Sequence, residues 1–414
     1  MTLSAPGRVL LFCWLGWVLE FYELVLFAFV KPALGLDLAL DTAQLAWIDG
    51  LTFAAAALGG VLLGRHADRH GRRRALCASI ACFSAGALLT GLAQGFASLA
   101  LARVVLGLGL GGEWGVGHAA VAEAHPVARR NRAAAALQTA SPIGLGLAAA
   151  LGCFVAPGVG WRAVFLASSL GAALILLARW SMPDDRAPAG SPRLPLALLL
   201  DPRHRASTLR IGVLLVLHMT GFWCCYAWLP SLLLREGGAS PAFVGGFHVA
   251  LAAAHALADL VFGRLADRFG RTRVFVALGV LSAAGLLLVA LGFERLRHDA
   301  VLVGLALAAI GLGAGTWSAF GVWFAEAYGP ELRATAASLL YNLARVSQLV
   351  AQPLLALAFA ATGTLAVALW VGVACALGSA LVAARAPSTA SSVDAVAVGA
   401  EARPRRVGRR DSER

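Results

Sequence analysis

Twelve apolar runs divide the chain, at 8–30, 43–64, 75–94, 97–118, 133–156, 162–180, 209–234, 242–263, 274–293, 300–326, 334–358 and 364–384. A helix rises 1.5 Å per residue, so about 20 apolar residues cross a hydrocarbon core of about 30 Å. Each run predicts one membrane-spanning helix. Polar residues collect in the short connections, and the longest break, 181–208, is rich in Pro, Asp and Arg. It separates six runs from six. The expected fold class is an all-α integral membrane protein, with twelve transmembrane helices in two pseudo-symmetric six-helix bundles. The expected division is 1–180 for the first bundle, 181–208 for a linker, 209–385 for the second bundle and 386–414 for a basic tail. That tail reads as disordered and suited to touch anionic lipid.

Composition agrees with this pattern. The chain is 59% hydrophobic and 14% charged, with mean hydropathy +0.77, against about half and about a quarter in soluble domains. The first run is too long for the core of a signal peptide, carries Glu20 and Glu23, and lacks a small-residue cleavage site. It reads as the first span. The net charge of +12 raises nucleic acid as a partner, yet the charge sits in short connections and in the tail 403–414. The partners expected are therefore lipid, a small solute and a proton, with no nucleic acid, and no oligomer is required. The seven cysteines lie in apolar runs without metal-ligand spacing, so they read as free thiols, and neither metal nor cofactor is expected.

Arginine follows the second, fourth, sixth and eighth runs, in Arg65–Arg74, Arg129/Arg130/Arg132, Arg186–Arg210 and Arg264–Arg273. The opposite side has Lys31 with Asp37 and Asp41, then Arg162, Arg235 with Glu236, and a balanced stretch at 294–299. The excess of Arg and Lys in short loops places both termini in the cytoplasm, for a multi-pass protein of the cytoplasmic (inner) membrane.

Two repeats point to duplication. Gly64-Arg65-His66-Ala67-Asp68-Arg69-His70-Gly71-Arg72-Arg73-Arg74 recurs 199 residues later as Gly263-Arg264-Leu265-Ala266-Asp267-Arg268-Phe269-Gly270-Arg271-Thr272-Arg273. Glu123 with Arg130 recurs 203 residues later as Glu326 with Arg333, and Trp114 recurs as Trp317. Repeats half a chain apart mean a duplicated membrane domain. The arginine-rich stretch is expected to be a water-exposed turn.

These motifs resemble those of the major facilitator superfamily over essentially all of residues 8–385. Its signature after the second helix is Gly-x-x-x-Asp-Arg-x-Gly-Arg-Arg. Here it reads Gly64, Asp68, Arg69, Gly71, Arg72 and Arg73, then Gly263, Asp267, Arg268, Gly270 and Arg271, with Thr272 for the last Arg. Gly160-Trp161-Arg162 with Phe165 also fits. Gly16-Trp17-Val18-Leu19-Glu20-Phe21-Tyr22-Glu23, Gly109–Trp114, Trp228-Leu229-Pro230 and Tyr341–Arg345 resemble the organic-acid and metabolite proton symporters, sialate-like carriers included. Those branches usually carry Asp at the Glu23 position. The Gly-Pro signature of drug antiporters is absent, Ser141-Pro142-Ile143-Gly144 standing in its place. The resemblance implies proton-linked transport by alternating access. An exporter, antiporter or uniporter of the same superfamily is the alternative.

A carrier needs charged groups inside the membrane, where their cost demands a partner or a function. Glu20 and Glu23 are one turn apart and share a face. By helical rise they lie roughly 18–22 Å from the cytoplasmic surface, a depth at which Arg103 also falls. The expectation is that Arg103 pairs with one glutamate while protonation of the other couples transport. A static charge pair is the other reading. Glu113, among glycines, either joins that coupling or bonds a neighbouring helix. Arg345, with Asn342 one turn before it, suits a substrate carboxylate, since a guanidinium grips one in two places; the plainer reading is a buried partner for some acid in the eighth or tenth run. His218, Phe222 and Tyr226 share a face that could stack on a substrate ring, and Trp17 and Tyr22 join the expected substrate set. Trp228 reads as an aromatic-belt residue. His248, His255 and Asp259 form a polar stripe, either a proton relay or packing.

The expected cytoplasmic gate is Gly64, Asp68, Arg69, Gly71, Arg72, Glu123, Arg130, Gly263, Asp267, Arg268, Gly270, Arg271, Glu326 and Arg333. Its glycines would allow tight turns and close helix contact, its aspartates would face a helix amino end, and its arginines would pair with Glu123 and Glu326. His66 and His70 have a ligand-like spacing that raises a membrane metal enzyme, but no further histidine cluster supports it. No catalytic residue is expected.

Overall fold

The computed structural model describes residues 4–171, 196–296, 298–328 and 330–385. Among the described residues, eleven helices are long and apolar enough to cross a membrane. In chain order they are α1 (Ala5–Asp37), α2 (Thr42–Ala67), α3 (Arg72–Gly91), α4 (Phe96–Ala124), α5 (Arg132–Val159), α7 (Arg205–Glu236), α8 (Pro241–Phe269), α9 (Arg271–Gly292), α10 (Ala300–Gly321), α11 (Ala336–Thr362) and α12 (Val367–Ala384). Between α5 and α7 stands α6 (Trp161–Ser168), which tightens into a 3-10 turn ending at Gly171. The rest of the expected sixth span, most of the linker (to 195) and the tail 386–414 lie outside the described residues.

Local signals set the helix limits. Asp41 caps α2, accepting from the Gln44 N–H at 2.7 Å, while the Gln44 side chain accepts from the Asp41 N–H at 3.0 Å. This reciprocal cap satisfies two otherwise orphaned donors. Helix α1 does not stop at Val30, where hydropathy ends it. It runs through Lys31 and Pro32 to Asp37, so Lys31 is a buried helical residue and not part of a loop. The expected turn at 64–74 is also mostly helix. The helix of α2 continues to His70 and the next begins at Arg72, leaving Gly71 alone to reverse the chain at φ 94°. Gly270 does the same between α8 and α9 at φ 85°. Only glycine adopts that conformation without a steric penalty. Gly64 and Gly263 differ: a Cβ on either would meet open space, so close packing is not their role.

The two halves pack alike. α2 and α3 lie on α4, α1 lies on α5, and α3 meets α6; correspondingly α8 and α9 lie on α10, α7 meets α11, and α9 meets α12. Between the halves, α2 packs on α11, α5 on α8, and α1 on α7. The α2–α4 contact is backbone to backbone, since Gly59 and Gly111 leave no room for a Cβ between the helices. Small residues allow that approach where lipid offers no hydrophobic drive.

Candidate functional site

Charge is buried where the halves meet. Glu20 lies half-way along α1 and is 0% exposed. Its Oε1 accepts from the Arg345 guanidinium of α11 at 2.7 Å. The second arm of that guanidinium and Glu20 Oε2 have no partner among the described residues. Arg345 also lies over the Tyr341 ring at 4.9 Å, and Tyr341 stacks on Trp114 of α4 with centroids 4.2 Å apart and planes 7° apart. Trp317 meets Tyr341 edge-on, with centroids 6.3 Å apart. Ion pair and ring stack both join one half to the other.

Arg103 of α4 is buried against α1, beyond Glu20. It lies over the Phe27 ring at 4.6 Å and donates to the Glu23 main-chain carbonyl at 3.5 Å. The expected side-chain pairing of Arg103 with a glutamate is therefore corrected: the acid held by a guanidinium is Glu20, and its partner is Arg345. The Glu23 carboxylate lies towards Ser168 of α6, whose hydroxyl is spent on the Phe165 carbonyl at 3.0 Å. Both Glu23 carboxylate oxygens lack a partner among the described residues. Glu113 lies against α1 at Gly16, its carboxylate 2.5 Å from where a Cβ would stand. Trp17 is buried edge-on to His118 at 5.1 Å, and Tyr22 is buried beside Glu23.

A second charge cluster lies further along α1. The Lys31 ammonium contacts Asp49 of α2 at 2.5 Å, donates to the Ala227 carbonyl of α7 at 3.0 Å, and sits 3.8 Å from the centroid of the Trp228 ring. Trp228 is 1% exposed, so it is no belt residue; its indole donates to Gln352 of α11 at 2.9 Å, and Gln352 donates to Gln348 at 3.2 Å. A buried ammonium persists only with such partners. Sequence reasoning missed Lys31, Asp49 and the two glutamines. Asp49 inside an apolar run was the available signal. It also missed the Trp114–Tyr341 platform, to which the Trp114/Trp317 repeat pointed.

The expected substrate residues of the second half are divided. Asn342 lies against Gly60 of α2 and donates to the Ser338 carbonyl at 2.9 Å. It faces a helix, not a cavity. His218, Phe222 and Tyr226 line a cavity enclosed by α7, α9, α10 and α12, all of the second half. Trp317 stands between this cavity and Tyr341, 4.5 Å from His218 and 5.6 Å from Phe222.

At the arginine-rich end, Arg72 pairs with Glu123 at 3.2 Å, and Arg271 pairs with Glu326 in the equivalent place. Arg69, Asp267 and Arg268 are exposed, Arg268 over the Phe269 ring at 5.2 Å. The side chains of Asp68, Arg130 and Arg333 lie outside the described residues. His66 and His70 stack one turn apart, and among the described residues no cluster of three metal-ligating side chains occurs.

Comparison with known proteins bears on this arrangement. The family model described as Major Facilitator Superfamily matches residues 13–254 and 211–409. A 3-(3-hydroxy-phenyl)propionate transporter of Escherichia coli (strain K12) is 30% identical over 373 residues, covering 87% of this chain and 89% of the relative. A probable 4-methylmuconolactone transporter of Cupriavidus pinatubonensis (strain JMP 134 / LMG 1197) is 29% identical over 345 residues, covering 80% and 79%. The crystal structure of a D-xylose-proton symporter superposes with TM-score 0.76 at 16% identity, covering 93% of this chain and 99% of that one.

Proposed function

This chain belongs to the major facilitator superfamily, and we propose that it moves a small organic acid across the cytoplasmic membrane together with a proton. The solute site is the interface between the halves, opened alternately to either side, with the arginine-rich end in the cytoplasm. Relatives named for carrying 3-(3-hydroxy-phenyl)propionate and 4-methylmuconolactone support an organic acid as cargo.

The Arg345–Glu20 ion pair carries the reading. A guanidinium can grip a carboxylate with two parallel bonds, and here one arm is held by Glu20 while the other has no partner among the described residues. A proton on Glu20 cancels its charge and releases Arg345. An unpaired buried cation is costly, so a substrate carboxylate then takes the place Glu20 gave up. Proton and anion thus enter together, leaving the site with no added net charge. Tyr341 and Trp114 form a flat wall beside Arg345, which suits an acid with an unsaturated or ring-bearing body.

The remaining residues serve the alternation. Lys31 with Asp49, Ala227 and Trp228 closes the outer end, and Arg72–Glu123 with Arg271–Glu326 braces the cytoplasmic end. The test is counterflow of a panel of labelled organic acids in proteoliposomes, with and without an imposed pH gradient. Uphill accumulation with the inward proton gradient is the expected result. Net uptake that ignores the gradient would make the protein a uniporter.

A further inference from the structure

A buried acid–base pair lies in the second half, outside the charges described above. His255 and Asp259 stand one turn apart on α8, and both are buried. His255 Nε2 is 3.6 Å from Asp259 Oδ2, just beyond a hydrogen bond. The other oxygen, Oδ1, accepts from the Ser318 hydroxyl of α10 at 2.7 Å. Asp259 Oδ2 and both ring nitrogens of His255 have no hydrogen-bond partner among the described residues.

The surroundings supply little else. Among the described residues, His218 of α7 also lies near enough to bear on His255. The facing stretch of α5, Ala140–Ala150, and the first part of α10, Ala300–Gly313, contain no ionisable residue. Cys153 touches α8 far away at Gly245. Arg129 and Arg132 are exposed at the arginine-rich end, and Arg271 is held by Glu326. Among the described residues, the ion-pair partner of Asp259 is His255.

An ionised carboxylate with a single hydroxyl donor is costly to bury. One proton removes that cost, whether it rests on His255 or on Asp259, because it binds the two side chains to each other. Without it, a bare carboxylate faces an imidazole lone pair. The pair also meets α10 where that helix tightens to a 3-10 segment, Ala314–Trp317. Such a segment inside a helix often marks a hinge. Within it Thr316 contacts His218 Nε2 at 3.3 Å. Groups of α7, α8 and α10 thus converge on one irregular turn.

We propose that His255 and Asp259 form a second proton-binding site of the carrier, separate from Glu20 and seated against the irregular turn of α10. Its place in a transport cycle rests on the carrier reading above; its capacity to bind a proton does not. The purified full chain, in detergent without substrate, is titrated from about pH 4 to about pH 9, a range spanning ordinary carboxyl and imidazole groups, and followed by infrared difference spectroscopy. A band of the pair that comes and goes with pH, from a protonated carboxyl or an imidazolium, is expected in wild type and is expected to be missing in Asp259→Asn. Asn retains an oxygen for Ser318, which protects the fold. His255→Asn is expected to move the midpoint of that band. A titration identical in wild type and Asp259→Asn overturns the site, and an unmoved midpoint in His255→Asn overturns the pairing. Proton-linked uptake with no such band defeats only this inference, whereas the band without proton-linked uptake defeats only the carrier reading.

Discussion

Arg345 donates to Glu20 at 2.7 Å across the meeting of the two halves, from a position 325 residues later in the chain. Removing one member of a buried pair leaves a lone charge, at a cost of about 3–5 kcal/mol. Arg345→Ala and Glu20→Ala are each expected to lower the melting temperature in detergent, and the double variant to recover part of the loss. Additive losses would show that the pair is not coupled.

Arg345→Lys keeps the charge but not the planar fork. It is expected to weaken substrate affinity by tenfold or more while the protein still inserts and melts cooperatively. Counterflow at varied substrate concentration measures it, and an unchanged half-saturation would place the carboxylate elsewhere.

Lys31 ties α1 and α2 to the Ala227 carbonyl of α7. Lys31→Met is expected to open the outer end and to expose Cys153, buried where α5 meets α8 near Gly245. Labelling with a membrane-impermeant maleimide from outside, in a variant with Cys153 as its only cysteine, should speed up several-fold. Equal labelling rates would remove the outer latch from the account.

The four signature glycines separate into two kinds. Gly71→Ala and Gly270→Ala force a side chain into positive φ with extended ψ and should each cost about 1–3 kcal/mol. Gly64→Ala and Gly263→Ala, with open space at the Cβ, should be neutral or slightly stabilising, because alanine favours helix. Thermal melts of the four variants decide; four equal losses would contradict the distinction.

Much of this was legible in the chain because lipid imposes it. Every span must bury its backbone polar groups in helix, so run length located the helices. The price of intramembrane charge made Glu20, Glu23, Arg103 and Arg345 visible at once. Pairing was not legible, since depth alone set Arg103 beside Glu20 and Glu23 and gave Arg345 no acid of the first run. Side-chain direction decided, with Arg103 turned onto Phe27 and the Glu23 carbonyl. Lys31 was hidden for another reason. Hydropathy ends a span at a charge, whereas the helix ignores it and passes Pro32. Likewise the basic stretch 64–70 looked like a turn by charge, yet basic side chains favour a helix carboxyl end, and only Gly71 breaks it.

The central claim is that a proton on Glu20 and an anion on Arg345 replace the ion pair between them. Its most direct test is proton uptake by the purified chain on substrate binding, read with a pH indicator in weak buffer. Wild type should take up one proton per anion bound, and Glu20→Gln should bind the anion with no uptake at all. Anion binding by wild type without proton uptake, or uptake undiminished in Glu20→Gln, would contradict it.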